Sequence, residues 1–267
     1  MGMNRRDFLK GTAWRGVAAM AAGCANTAKA FSGGALLFSS ASSEVTVRKD
    51  LGGVQLWENG PYWAECNVGA TKPEEYGYYF WWGDTVGYKR SGGTFKDYHY
   101  SGVTWVSSKD EQMSNSPFTA TSCPTWEKDN EPLLSAGYIN STSNLAPAHD
   151  AATAHLGSPW RMPTSAEIEA LTNNCTTTWT TRNGVYGRLV AGKGNFANKS
   201  IFLPATGYGF GSILSNPGSG GHYWCSSPFS ENSLFAWRFF FSSKNFYRKP
   251  KYRYYGQSVR PVRDFAK

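Results

Sequence analysis

The segment WRMPTSAEIEALTNNC, residues 160–175, decides how the rest of the chain is read. Thr164 stands where a helix N-cap belongs, and Glu167 follows three residues later as the reciprocal partner of a capping box. Pro163 disfavours helical backbone just before the cap. Ile168 and Leu171 then place one apolar stripe on the helix. The pattern predicts one main helix near 165–173. Around it the apolar runs are short and alternating, as strands are. Upstream, GVQLWENGPYWAECNVGA (53–70) gives Val54 and Leu56, a turn at Asn59 and Gly60, then Tyr62 and Ala64. That is a hairpin signal, weakened by Pro61 at the start of the second strand. EEYGYYFWWGDT (74–85) reads as a dense aromatic strand closed by a Gly-Asp turn. Downstream come TTTWTT (176–181), a turn at Asn183 and Gly184, VYGRLVAG (185–192), SIFLPATGYG (200–209), HYWCSS (222–227), FAWRFFFSS (235–243) and SVRPVR (258–263). One helix among many short antiparallel strands is an α+β pattern.

Composition agrees with it. The chain has 267 residues, with 16% aromatic residues, 11 Trp and 29 Gly against 17% charged residues, which points away from a helical bundle. Residues 83–150 lack periodicity and are rich in Gly, Ser, Thr, Asn and Pro, so long loops over a core are expected there. Trp63, Tyr79, Trp81, Trp160 and Trp179 are the expected core rings. His149, Asp150 and His155, in HDAATAH, have no third ligand nearby in sequence and read as structural.

The first residues read as an address. MNRRDFLKGTA (3–13) carries twin arginines, and the weakly apolar run GVAAMAAGCANTAKA (16–30) follows. That run is too short and too rich in Gly and Ala to span a bilayer. Residues 1–24 are therefore expected to be a twin-arginine signal peptide. AAGC resembles a lipobox with Cys24 as the lipidated N-terminus, although the usual Leu three residues ahead is missing; AKA before Phe31 offers the alternative cleavage after Ala30. Residues 25–46, small and polar with an apolar knot at 36–38, read as a flexible tether, and 47–265 as the globular domain. The expected location is the cell envelope, as an outer-surface lipoprotein held to the membrane by its lipid.

Charge narrows the partners. The net charge is +8, three of which fall in the leader, and the remaining excess gathers in the last thirty residues. A nucleic-acid binder would spread such charge along a groove, so no nucleic-acid partner is expected. Cys66, Cys123, Cys175 and Cys225 allow three pairings, which spacing cannot choose between, and buried free thiols are an equal alternative. No C-x-x-C pair suggests zinc. No catalytic residue, metal or cofactor is expected.

Five ordered stretches carry a resemblance: WAECNVGATKPEEYGYYFWWGD (63–84), WRMPTSAEIEALTNNCTTTWTTRNGVYG (160–187), IFLPATGYG (201–209), GHYWCSSP (221–228) and SVRPVR (258–263). Together they resemble the Fibrobacter succinogenes major paralogous domain family, a branch of the C-type-lectin-like fold. WRMPTSAEIEAL also resembles a helix of the formylglycine-generating enzymes, which share that fold. The resemblance implies a C-type-lectin-like fold. It does not fix a function, because the fold hosts several. Formylglycine-type oxidation would need a second reactive thiol near Cys225, and the RGGS segment of those enzymes is missing. Calcium-dependent sugar binding would need an acid and amide cluster, whereas residues 236–263 contain no acid. The third use of the fold is ligand display by variable proteins of diversity-generating retroelements, whose C-terminal segment is rewritten on a tolerant scaffold. That use fits the leader and a variable region over 222–263.

The C-terminal stretch AWRFFFSSKNFYRKPKYRYYGQSVRPVR (236–263) is built from rings, cations and small polar residues. Read with period two, Trp237, Phe239 and Phe241 face the core, and Arg238, Phe240 and Ser242 face outward. Asn245, Tyr247, Lys249, Lys251, Tyr252, Tyr254 and Tyr255 are expected to continue the outward set through a loop toward Gly256. Exposed Tyr beside Ser and Asn is the composition of antibody paratopes. The expected function is recognition of a protein or glycan ligand through these residues, with the cations steering toward an acidic partner. The alternatives are a formylglycine-generating-type oxidase and a structural surface module without a specific ligand.

Replacing Cys24 with Ser is expected to abolish metabolic labelling by a fatty-acid probe. Mass spectrometry that finds a mature chain starting at an unmodified Phe31 would remove the lipid anchor.

Overall fold

The computed structural model describes residues 53–109 and 112–264. The leader, both cleavage sites and the tether over 25–46 lie outside the described residues.

The helix forms where its caps predict, over Ser165–Asn174. Thr164 Oγ1 accepts from the Glu167 backbone N–H at 3.2 Å, and the Glu167 carboxylate accepts from the Thr164 N–H at 2.8 Å. Arg161 holds the same carboxylate through two nitrogens, at 2.6 and 2.8 Å, and so ties the strand Trp160–Arg161 to the helix start. Ile168 and Leu171 enter the largest core, with Trp63, Val190, Ile201, Leu203, Tyr223, Phe239, Phe241 and Val262.

The fold is α+β and sheet-rich: among the described residues the strands form several small sheets, each built from antiparallel pairs. The hairpin at Asn59 forms, pairing Gly53–Gln55 with Tyr62–Ala64. So does the one at Asn183 and Gly184, whose φ values of 48° and 80° suit a two-residue turn between Thr176–Arg182 and Val185–Ala191. Val262–Arg263, the SVRPVR strand, pairs with both Tyr62–Ala64 and Trp160–Arg161. The last strand of the described domain thus lies between Trp160–Arg161 and the second strand of its opening hairpin.

Several expectations are corrected. The aromatic run 74–85 is not a strand; it makes isolated bridges at Tyr79 and Phe80. Its rings serve a second core, where Trp82 Nε1 donates to the Cys225 carbonyl at 2.9 Å and Trp224 Nε1 to the Phe80 carbonyl at 2.7 Å. Trp82 is therefore the buried ring there, while Trp81 and Trp179 are half-buried; Trp63, Tyr79 and Trp160 are core as expected. The region 83–150 is more ordered than its composition suggests. It holds the helix Asn130–Ser135 and the paired strands Tyr88–Ser91 and Thr104–Ser107, and a second helix, Ala151–Leu156, follows it directly. Asp150 caps the second of these helices, accepting from Thr153 N at 2.9 Å, and also accepts from Met162 N at 2.8 Å. His155 meets the Thr85 carbonyl at 3.0 Å, and His149 stacks on Tyr138 at 4.0 Å. Cys66, Cys123, Cys175 and Cys225 are buried, and none of them is in a disulfide.

Two deeply buried arginines hold the loops to the sheets. Arg260 donates to Asn67 Oδ1 at 2.9 Å, to the Ala64 carbonyl at 3.0 Å and to the Phe202 carbonyl at 3.0 Å. Arg253 donates to the carbonyls of Phe235, Thr125 and Lys128 at 3.0, 2.9 and 2.7 Å, with its guanidinium 4.8 Å from the Trp82 ring. Removing one partner of such a buried set leaves desolvated carbonyls behind, at about 1–3 kcal/mol each. Arg260→Met is expected to cost about 3 kcal/mol or more. Urea unfolding would show it as a lowered midpoint with an unchanged slope.

Candidate functional site

The C-terminal sheet is a three-strand meander of Gly220–Pro228, Phe235–Ser242 and Phe246–Tyr252. The stretch beyond Ser243, expected as a loop, is thus mostly a strand: Pro250 does not end it, because Phe246–Tyr252 is an edge strand, where a missing N–H is tolerated. Residues directly opposite one another on antiparallel strands share a face. His222, Phe240 and Tyr247 form one such rung, Trp224, Arg238 and Lys249 a second, and Pro228, Ala236 and Lys251 a third; Trp224 and Ala236 on this face belong to the second core, so it is not outward throughout as expected. The intervening rungs, Tyr223 with Phe239 and Gly221 with Phe241, turn to the main core beneath the helix. A Cβ on Gly221 would meet the Phe241 ring at 2.0 Å, so only glycine lets that ring close the core. The inward row expected from the alternation is present, with Trp237 only partly covered at its end.

The outward row is less open than expected. Phe240 is half-buried, Tyr247 is 39% exposed and Lys249 is exposed, but Arg238 is only 6% exposed. Arg238 occupies the outward face and is covered there by rings: its guanidinium lies 5.1 Å from the Phe240 ring, and its Nη1 donates to His222 Nδ1. Arginine is always a donor, so Nδ1 accepts and His222 carries its proton on Nε2. Burial, helped by the charges of Arg238 and Lys251, holds the imidazole well below its ordinary pKa, so it is neutral. Ser242 and Asn245 serve the turn between the last two strands. The Ser242 hydroxyl accepts from the Lys244 and Asn245 N–H groups at 3.2 Å and from Asn245 Nδ2 at 3.1 Å.

Tyr252 ends the last strand of that sheet, and Tyr254 and Tyr255 follow it; all three are half-buried, in a ring cluster that the C-terminal segment does not make alone. Tyr252 stacks on Phe235 at 4.5 Å, and Trp126 meets Tyr254 edge-on at 4.7 Å. Phe210 reaches Tyr255 at 5.1 Å, and Tyr208 reaches both Tyr255 at 5.4 Å and His222 at 4.8 Å. This junction depends on two glycines. Gly209 and Gly256 exchange backbone hydrogen bonds at 2.7 and 2.9 Å, and a Cβ on either would strike the Phe118 ring at 2.4 Å. Where the chains meet so closely, Tyr208 and Phe210 are carried to the side of Tyr254 and Tyr255. Phe210 is 44% exposed.

Lys251 completes the assembly. Its ammonium lies 4.2 Å from the Tyr255 ring and 5.0 Å from the Tyr208 ring. Burial first, then the charges of Arg238 and Lys249, bring its pKa down to about 8. Burial likewise lowers the Arg238 guanidinium to about 10.

Trp126, Tyr208 and Phe210 are members of this face that sequence reasoning missed; His222, at the start of the expected variable region 222–263, is buried beneath it. The alternation YGFG (208–211) was a visible cue for Tyr208 and Phe210; Trp126 had none. The face is broad and is not a cavity: three cavities of about 440, 390 and 210 Å³ are lined by other residues. A shallow surface of amphipathic rings with cations among them suits a macromolecular ligand better than an enclosed small molecule. No family model, curated protein or solved structure matches this chain, so the reading of this face rests on its own geometry.

Proposed function

We propose that this chain is an exported, surface-anchored protein of C-type-lectin-like fold that binds a protein or glycan ligand through its C-terminal aromatic and basic face. Recognition is non-covalent. The observation that carries the reading is the continuous run of rings from Tyr247 and Phe240 through His222, Tyr208 and Tyr255 to Tyr254 and Trp126. A surface of this kind is built from residues that give large contact area at small entropic cost. Pairing of the last strand with the opening hairpin and the capped helix Ser165–Asn174 beneath the C-terminal sheet support the fold assignment. Twin arginines and Cys24 support export and a lipid anchor at the outer surface.

Cys225 bears on the oxidase alternative. Its side chain is fully buried, and burial pushes its thiol far above the ordinary range, the reverse of what a redox nucleophile needs. The retroelement reading concerns residues 222–263 and makes a claim about DNA. A near-identical template repeat beside a reverse-transcriptase gene, differing from this 3′ end only at template adenines, is the expected sequence; its absence would leave a fixed binding face.

The binding reading is tested with ligands selected from a random peptide library and a glycan array. Replacing Tyr247, Tyr252 and Tyr254 together with Ala is expected to weaken a selected ligand at least tenfold, given about 2 kcal/mol for a buried interface ring. Unchanged affinity would make the domain a structural surface module.

A further inference from the structure

We propose that Arg238 and Lys251 form an anion subsite within this face, which takes the carboxylate of an Asp or Glu side chain on a protein ligand. The proposal rests on the reading of the face as a ligand-binding surface and names the chemistry that the ligand must present.

The comparison among the buried arginines is the starting point. Arg188, Arg238, Arg253 and Arg260 are all buried. Arg260 bonds four oxygens and Arg253 three carbonyl oxygens; Arg188 bonds the Ser242 and Ser243 carbonyls and Thr177 Oγ1. Arg238 meets no oxygen; its one bond goes to a histidine nitrogen. Its Nε is left without a partner, as is Nε2 of His222 beside it. A buried guanidinium with an unmet Nε and no oxygen acceptor destabilises the unliganded protein, and an anion brought by the ligand relieves that cost.

The neighbours of Arg238 add donors and no acceptor charge. Lys249 is its cross-strand partner, and Lys251 is near enough for the charge of Arg238 to lower its proton affinity. Among the described residues the ion pairs of carboxylates are made to Arg161, Arg182 and Arg248, and none to Arg238, Lys249 or Lys251. Ring faces hold these two cations where a carboxylate would otherwise: Phe240 beside Arg238, and Tyr208 and Tyr255 beside Lys251. Cation–ring contacts offset part of the desolvation and leave N–H groups unspent. Two cations on one face of the sheet, both close to His222, can present N–H groups to one carboxylate with two oxygens. A phosphodiester chain or a sulfated polymer would instead be met by cations strung along a groove. The half-buried rings around the pair supply the apolar rim that excludes water from such a contact.

The charge state sets a direction with pH. The groups facing Lys251 are Arg238 and His222 from the neighbouring strands, Lys249 on its own strand, Tyr208 from the strand before the sheet, and Tyr255 from the turn after it. His222 is neutral and Arg238 keeps its charge to about 10. Lys251 therefore titrates first, and affinity for a carboxylate falls as the pH rises through about 8.

The test titrates the isotope-labelled protein with hexaglutamate and, separately, with hexaglutamine, following amide and side-chain signals. Saturable shifts at Phe240, Tyr247 and Lys251 with hexaglutamate alone are expected. Affinity should drop at least tenfold in Lys251→Gln and in Arg238→Gln, as for a desolvated charge pair that loses one partner. Lys251, at the half-buried edge, provides the variant that keeps the fold if Arg238→Gln does not. Equal binding of hexaglutamine, shifts confined to residues outside this face, or no weakening in Lys251→Gln would overturn the proposal. Tighter, Lys251-dependent binding of a sulfated oligosaccharide or of oligothymidylate would overturn it in favour of a sulfate or phosphate ligand. If hexaglutamate fails while the triple Tyr replacement still weakens a selected ligand, the face stands and only its anion subsite is lost.

Discussion

The guanidinium of Arg260 is the constraint on which the domain depends. It stands next to the closing strand, two residues before Val262, and binds oxygen atoms from the turn after Tyr62–Ala64 and from the strand Ser200–Pro204. These segments come from opposite ends of the sequence, and little hydrophobic periodicity joins them. A side chain with five donors and no acceptor satisfies several carbonyls at once, which matters in a protein made of short strands and irregular connections. Arg253 repeats the arrangement around Thr125, Lys128 and Phe235. Basic residues in this chain therefore act as internal cross-braces as well as surface charges.

That division explains how one short segment supplies both frame and face. Between residues 236 and 263, Phe239, Phe241, Arg253, Arg260 and Val262 are spent on the interior. Phe240, Tyr247, Lys249, Lys251, Tyr254 and Tyr255 remain toward solvent to differing degrees. The frame is braced from below by the capped helix and from the side by the Gly209 and Gly256 contact.

The helix, both Asn-Gly hairpins and the closing strand were legible in the sequence because each rests on a local rule: a capping box, a two-residue turn, or alternation of ring and polar residue. The inward row of the C-terminal sheet followed from period two alone. What was not legible depends on distant partners. Trp82 outranks Trp81 as a core ring because of a carbonyl at Cys225, far along the chain. Arg238 lies on the expected face yet is hidden, because Phe240 covers it and His222 accepts its proton donor from the next strand. Trp126 joins the tyrosines only through the folding of residues 83–150, whose composition predicted loops. Cationic composition was visible, but which cations lacked an oxygen partner was not.

The cross-strand register has one further consequence. Because rungs turned to the main core alternate with rungs turned away from it along the paired strands Phe235–Ser242 and Phe246–Tyr252, deleting or inserting one position within a strand would turn its downstream rings to the other side. Any process that diversifies this surface must therefore preserve its length and work by substitution alone. The segment resembles a typeface with fixed spacing, in which letters are exchanged and the line never shifts.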